Sequence, residues 1–141
     1  MILLPPDLRR ALRANCDAHR AAQRDGKRAP DPVPVVKLFN PLGAATWLAI
    51  ELDEDGDVLF GLADLGFGCP ELGSFSLCEI AAIRLPFGLR IERDIAFATD
   101  RPLSLWADTA RRTGSILSAE QHFLRAGMML PDPDLPRPRR S

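Results

Sequence analysis

The stretch from Ala45 to Leu65 constrains this chain more than any other. Thr46, Leu48, Ile50 and Leu52 alternate with Trp47, Ala49 and Glu51, the two-residue period of a strand with one mostly apolar face. Asp53-Glu54-Asp55-Gly56-Asp57 then makes a turn, with Gly56 free to take a positive φ. Val58 to Leu65 returns as the partner strand. A hairpin centred on Asp55 sets Glu51 opposite Leu59, with Gly61 a diagonal neighbour. Glycine in mid-strand implies a bulge or the close approach of another backbone.

The flanking segments add helices and short strands. Pro5 and Pro6 suit the first turn of a helix. Leu8, Leu12, Cys16 and His19 then recur at helical spacing, giving a thin stripe suited to the domain edge, and Gly26 ends the run. Pro30, Pro32 and Pro34 make an extended linker. Val35–Phe39 reads as a strand stopped by Asn40-Pro41, and Leu72–Ser76 as a further short strand. Ser76 and Glu79 form a capping box for a helix reaching about Arg84, which Pro86 stops. Leu89–Phe97 is another strand candidate, with faces hard to assign. Asp100 is expected to cap a helix to about Arg112, and Ser118 one to Met129. The organisation expected is an N-terminal helix (1–24), a Pro-rich linker (25–34), an α+β core domain (35–130) and a disordered tail (131–141). The fold class is α+β: a small, mainly antiparallel sheet with the central hairpin, helices packed on one face, and the N-terminal helix on its linker.

Composition narrows the function classes. With 141 residues, 46% hydrophobic and 26% charged, one domain can bury a core without staples. A net charge of −1 argues against strong non-specific nucleic-acid binding. Of 18 basic residues only Lys27 and Lys37 are lysines, a skew we assign to genome composition. Cys16, Cys69 and Cys78 give an odd count with no pairing pattern. No run of 18 apolar residues exists to span a membrane. Met1–Pro6 lacks the features of a signal peptide, so the expected location is cytoplasmic.

Three further segments resemble one bacterial family. They are Lys37-Leu-Phe-Asn-Pro-Leu-Gly-Ala-Ala-Thr-Trp-Leu-Ala-Ile-Glu-Leu-Asp, Leu59-Phe-Gly-Leu-Ala-Asp-Leu-Gly-Phe-Gly-Cys-Pro-Glu-Leu-Gly-Ser-Phe-Ser-Leu-Cys-Glu-Ile, and Ile91-Glu-Arg-Asp followed by Arg101-Pro-Leu-Ser. The family is domain of unknown function 2958, and the resemblance spans Val35 to Ile116. It implies an accessory role in bacterial mobile elements, plasmids or phages, and carries no chemistry with it. Cys78 stands where the family usually has serine, and Trp106 where it usually has tyrosine.

The candidate sites are weighed against plainer readings. The acids Glu51, Asp53, Glu54, Asp55 and Asp57 do not match a calcium loop: counted from Asp53, Gly56 falls fourth and Asp64, not a glutamate, twelfth. They read as a solvated turn, with no metal. The cysteines lack a zinc knuckle, and a Cys–His nucleophilic pair requires the fold to bring the two together. Gly66-Phe67-Gly68 is not followed by the signature of a phosphate loop. No cofactor is implied. Lys37, Trp47, Glu51, Asp64 and Glu71 remain as a candidate binding surface on one sheet face, or else a solvated face.

The leading expectation is a non-catalytic interaction module binding a protein partner or assisting DNA handling, with catalysis disfavoured. The alternative is a small enzyme or nucleotide-binding domain using the acidic and lysine groove. A third reading is weak nucleic-acid binding through the Arg-rich ends, Arg24, Lys27, Arg28, Arg137, Arg139 and Arg140.

Overall fold

The structure is a computed structural model describing residues 1–128. The Arg-rich tail, with Arg137, Arg139 and Arg140, lies outside them. Helix α1 (Pro6–Arg24) leads into β1 (Val36–Phe39), β2 (Thr46–Leu52), β3 (Val58–Asp64) and β4 (Glu71–Ser76). Helix α2 (Leu77–Ala82), β5 (Glu92–Arg93), α3 (Leu103–Thr113) and α4 (Ile116–Met128) follow. The five strands form one antiparallel sheet in the order β4-β3-β2-β1-β5. The α+β class and the hairpin, now β2–β3 in the body of the sheet, stand as read.

Helices cover both faces of the sheet, where one was expected. Val36, Leu38, Trp47, Ala49 and Leu59 pack with Leu4 and Leu12 of the N-terminal segment and with Leu77 and Ile80 of α2. Leu48, Ile50 and Leu62 pack with Leu103, Trp106, Ala107 and Ala110 of α3 and Ile116, Ala119 and Phe123 of α4. The reason is in β2 itself. Thr46 through Ile50 are buried without interruption, so alternation places apolar atoms on both sides and each side needs a cover.

Gly61 explains how β2 and β3 fit. Ala49 pairs with Gly61, but the next pair is Glu51 with Phe60, so Ile50 is an extra residue in β2. The register expected from a hairpin centred on Asp55 therefore shifts by one, and Glu51 faces Phe60 in place of Leu59. A Cβ at Gly61 would lie 1.8 Å from the Leu48 carbonyl oxygen, so both readings of this glycine hold at once. The bulge releases the Ile50 carbonyl from the ladder, and Asn15 Nδ2 of α1 donates to it at 2.9 Å.

Helix α1 docks on the sheet, with Leu12 fully buried. Its arginines reach the hairpin turn: Arg9 donates to the Gly56 carbonyl and Arg13 to the Leu52 carbonyl. The prolyl linker is pinned as well. Leu103 N–H donates to the Pro32 carbonyl at 3.0 Å, and Ser104 N–H to Asp31 Oδ1 at 3.1 Å. Asp31, from the linker, thus serves the start of α3 where Asp100 was expected to. Of the strand expected at Leu89–Phe97, only Glu92–Arg93 pairs with β1.

Candidate functional site

Lys37 lies on β1 opposite Leu48, on the face covered by α3 and α4. It is only 7% exposed. A buried ammonium needs carboxylate partners, and two elements distant in sequence supply them. Lys37 Nζ lies 2.8 and 2.9 Å from the two Glu120 oxygens of α4. Asp94, just past β5, approaches at 3.5 Å. Asp94 and Glu120 also line a cleft of about 660 Å³ with Phe97, Trp106, Phe123 and Arg101.

The other four candidate residues do not join Lys37 in one surface. Trp47 is buried in the opposite core layer. Asp64 is 0% exposed; its Oδ1 accepts from Gly66 N–H and its Oδ2 from Ile116 N–H, both at 2.9 Å. It therefore caps α4 from the end of the hairpin, together with Ser115, whose Oγ accepts from Ser118 N–H at 3.0 Å. Ser118 was expected in that role. Glu71 is exposed at the start of β4, opposite Ala63. Glu51 pairs with Phe60, three residues and so about 10 Å further along β3. Among the five, then, none lines the large cleft; Lys37 comes nearest, behind Glu120 and Asp94 of its wall.

Glu51 belongs to a smaller cavity of about 230 Å³ beside α1. There His19 Nδ1 lies 2.9 Å from Glu51 Oε2. Cys16 shares the cavity, so the fold does bring this cysteine near a histidine. Burial pushes the Cys16 thiol up, against the lowering effect of Arg20, the reverse of what a thiolate nucleophile needs. The acidic turn is engaged in structure. Asp55 Oδ1 accepts from Asp57 and Val58 N–H, Arg20 binds Asp53 and Glu54, and Asp57 holds Ser76 Oγ and Cys78 N–H at the start of α2. Ser76 Oγ accepts from Glu79 N–H at 3.1 Å, so the serine cap read from the sequence is present.

A further feature escaped the sequence reading. Phe87 has φ 63° and ψ 24°, alone among described non-glycine residues in having a positive φ. Gly88 follows at φ 72°. Leu89 N–H donates to the Pro86 carbonyl at 3.3 Å, Leu85 N–H to the Leu89 carbonyl at 2.9 Å, and Arg84 pairs with Arg90. This is a small hairpin whose apex has two left-handed residues, where Asn-Gly is the favoured pair. Phe87 is 91% exposed, so no burial offsets its conformation. The Pro-Phe-Gly triplet is the signal for this turn in the sequence, where Pro86 also suffices as a helix stop.

These features define an α+β domain with a two-sided core, one aromatic cleft and one exposed, strained aromatic apex. The family model described as protein of unknown function (DUF2958) matches residues 3–117, and the chain belongs to that family. The match takes in α1 as well as the segments from Lys37 onward. No curated protein and no solved structure matches the chain. Among the described residues, no helix is long and apolar enough to cross a membrane.

Proposed function

We propose that this protein is a non-catalytic interaction module that docks a protein partner through the Phe87 apex, acting as a cytoplasmic accessory of a bacterial mobile element. The observation that carries the docking reading is Phe87 itself: an aromatic side chain at 91% exposure on a left-handed backbone. Left-handed geometry costs a residue with a Cβ about 1–2 kcal/mol. Such strain concentrates where a side chain is kept for binding. Arg84 and Arg90 flank the apex and are exposed, as is Leu89. Aromatic and arginine residues dominate binding hot spots, so the partner surface that fits is an apolar pocket rimmed by acids. The mobile-element setting rests on the family resemblance alone.

The test is site-specific photo-cross-linking in the native host. A benzophenone side chain at position 87 is expected to trap one discrete protein, and the same group at exposed position 100 is expected to trap none of it. Equal trapping at both positions, or none at position 87, would count against the reading.

A further inference from the structure

The geometry points to a second binding site, in the cleft walled by the 94–101 segment and by helices α3 and α4, for a small organic cation: an ammonium on an apolar or aromatic body. This site is separate from the Phe87 apex and stands or falls independently of it.

Size comes first. About 660 Å³ is within the range of small-molecule sites. Three aromatic rings line it, and they stand nearly at right angles. Trp106 meets Phe97 at 75° with centroids 6.1 Å apart, and Phe123 at 79° with centroids 4.7 Å apart. Edge-to-face packing covers one face of a ring with its neighbour's edge and leaves the other for a charge, and the Phe123 ring does meet a cation in this way.

Charge selects the sign of the ligand. Asp94, Asp100 and Glu120 line the cleft, against Arg101 and the buried Lys37 behind Glu120. Three carboxylates against two cations leave one negative charge. Glu120 gives both oxygens to Lys37. Asp94 stands further off at 3.5 Å, with its side chain 30% exposed, so it is the carboxylate placed to meet a second cation. That net negative charge disfavours an anion.

A cation already rests on one of the rings. The Arg101 guanidinium carbon lies 4.5 Å from the Phe123 centroid. Its other partner, Asp100, is 92% exposed, so the pair holds Arg101 weakly. Arg101 therefore occupies the platform as a competitor that an incoming ammonium displaces.

The experiment titrates the full chain with benzyltrimethylammonium, benzyl alcohol and benzoate, following backbone amide shifts by NMR. The cation is expected to move the amides of Ala96–Arg101 and Leu124 in a saturable manner, with benzyl alcohol weaker and benzoate without effect. Asp94 Oδ1 accepts from Ala96 N–H at 3.0 Å; Asp94→Asn keeps that acceptor and is expected to weaken the cation on the order of tenfold. Arg101→Ala touches only an exposed pair and a ring face, and is expected to tighten it about fivefold by removing the competitor. Benzoate shifting the same amides as strongly, the cation shifting none, or Arg101→Ala failing to tighten binding would each overturn the assignment.

Discussion

Lys37 Nζ and the Glu120 carboxylate meet at 2.8 Å across the interface between β1 and α4. The lysine side chain is 8% exposed and the glutamate 29%, so the two partners differ in how well water can replace the pair. Glu120→Ala leaves a buried ammonium with Asp94 alone, and is expected to cost about 3 kcal/mol. Lys37→Met places an apolar chain in the buried site and lets the partly exposed acids turn to solvent, at a cost of about 1 kcal/mol. Urea unfolding at neutral pH checks the order. Equal losses would mean that the burial of Lys37 is not what makes the pair matter.

The Asp64 cap predicts a second loss. Removing its carboxylate strands the buried Ile116 N–H and leaves the exposed Gly66 N–H to water. Asp64→Ala is expected to destabilise by about 2–3 kcal/mol. Asp64→Asn retains one acceptor and should lose roughly half of that. Amide exchange should quicken at Ile116 more than at Leu103, whose N–H is held by the linker instead.

Two glycines in neighbouring strands give a paired test of packing. They face each other across β3 and β4. Gly61→Ala would drive a Cβ to 1.8 Å from the Leu48 oxygen, whereas nothing lies within 4 Å of a Cβ at Gly73. The first substitution is expected to cost about 3 kcal/mol or more. The second should change stability by less than about 0.5 kcal/mol. Thermal unfolding of the two variants measures the contrast.

Much of this fold was legible because its signals are local. Alternation from Thr46 to Leu52, the Asp55-Gly56 turn and the serine cap at Ser76 each need only a few residues to read. Whatever spans the chain was not. A lysine at position 37 reads as a polar face residue until Glu120, 83 positions on, neutralises it. Asp64 reads as a site acid until Ile116, 52 positions on, claims its oxygen. The same is true of Asp31, whose caps on α3 could not be told from linker composition. None of the five candidate site residues lines the large cleft: Lys37 stops behind Glu120, Trp47 packs in the opposite core layer, and Asp64 is engaged in capping α4.

Acid should weaken the hairpin turn in a specific window. Backbone N–H groups of Asp57 and then Val58 hold the Asp55 carboxyl below its usual 3.8. A depressed carboxylate contributes stability above its unfolded pKa and loses it as pH falls through the folded value. Urea midpoints measured from pH 5 down to pH 2 should therefore fall more steeply for the parent than for Asp55→Asn. Parallel curves would mean that the Asp55 carboxylate does not set this acid loss. Cys16 works in the other direction: its raised thiol adds stability below the unfolded thiol pKa, lost as pH climbs through the folded one.

The role proposed for Phe87 sets a binding partner against the preference of its own backbone. Phe87→Asn tests it most directly, because asparagine followed by Gly88 is the pair such a turn favours. This variant is expected to unfold in urea with stability raised by about 1 kcal/mol, while losing the partner that cross-links at position 87. A variant that is less stable than the parent, or one that still binds that partner with undiminished affinity, would contradict it.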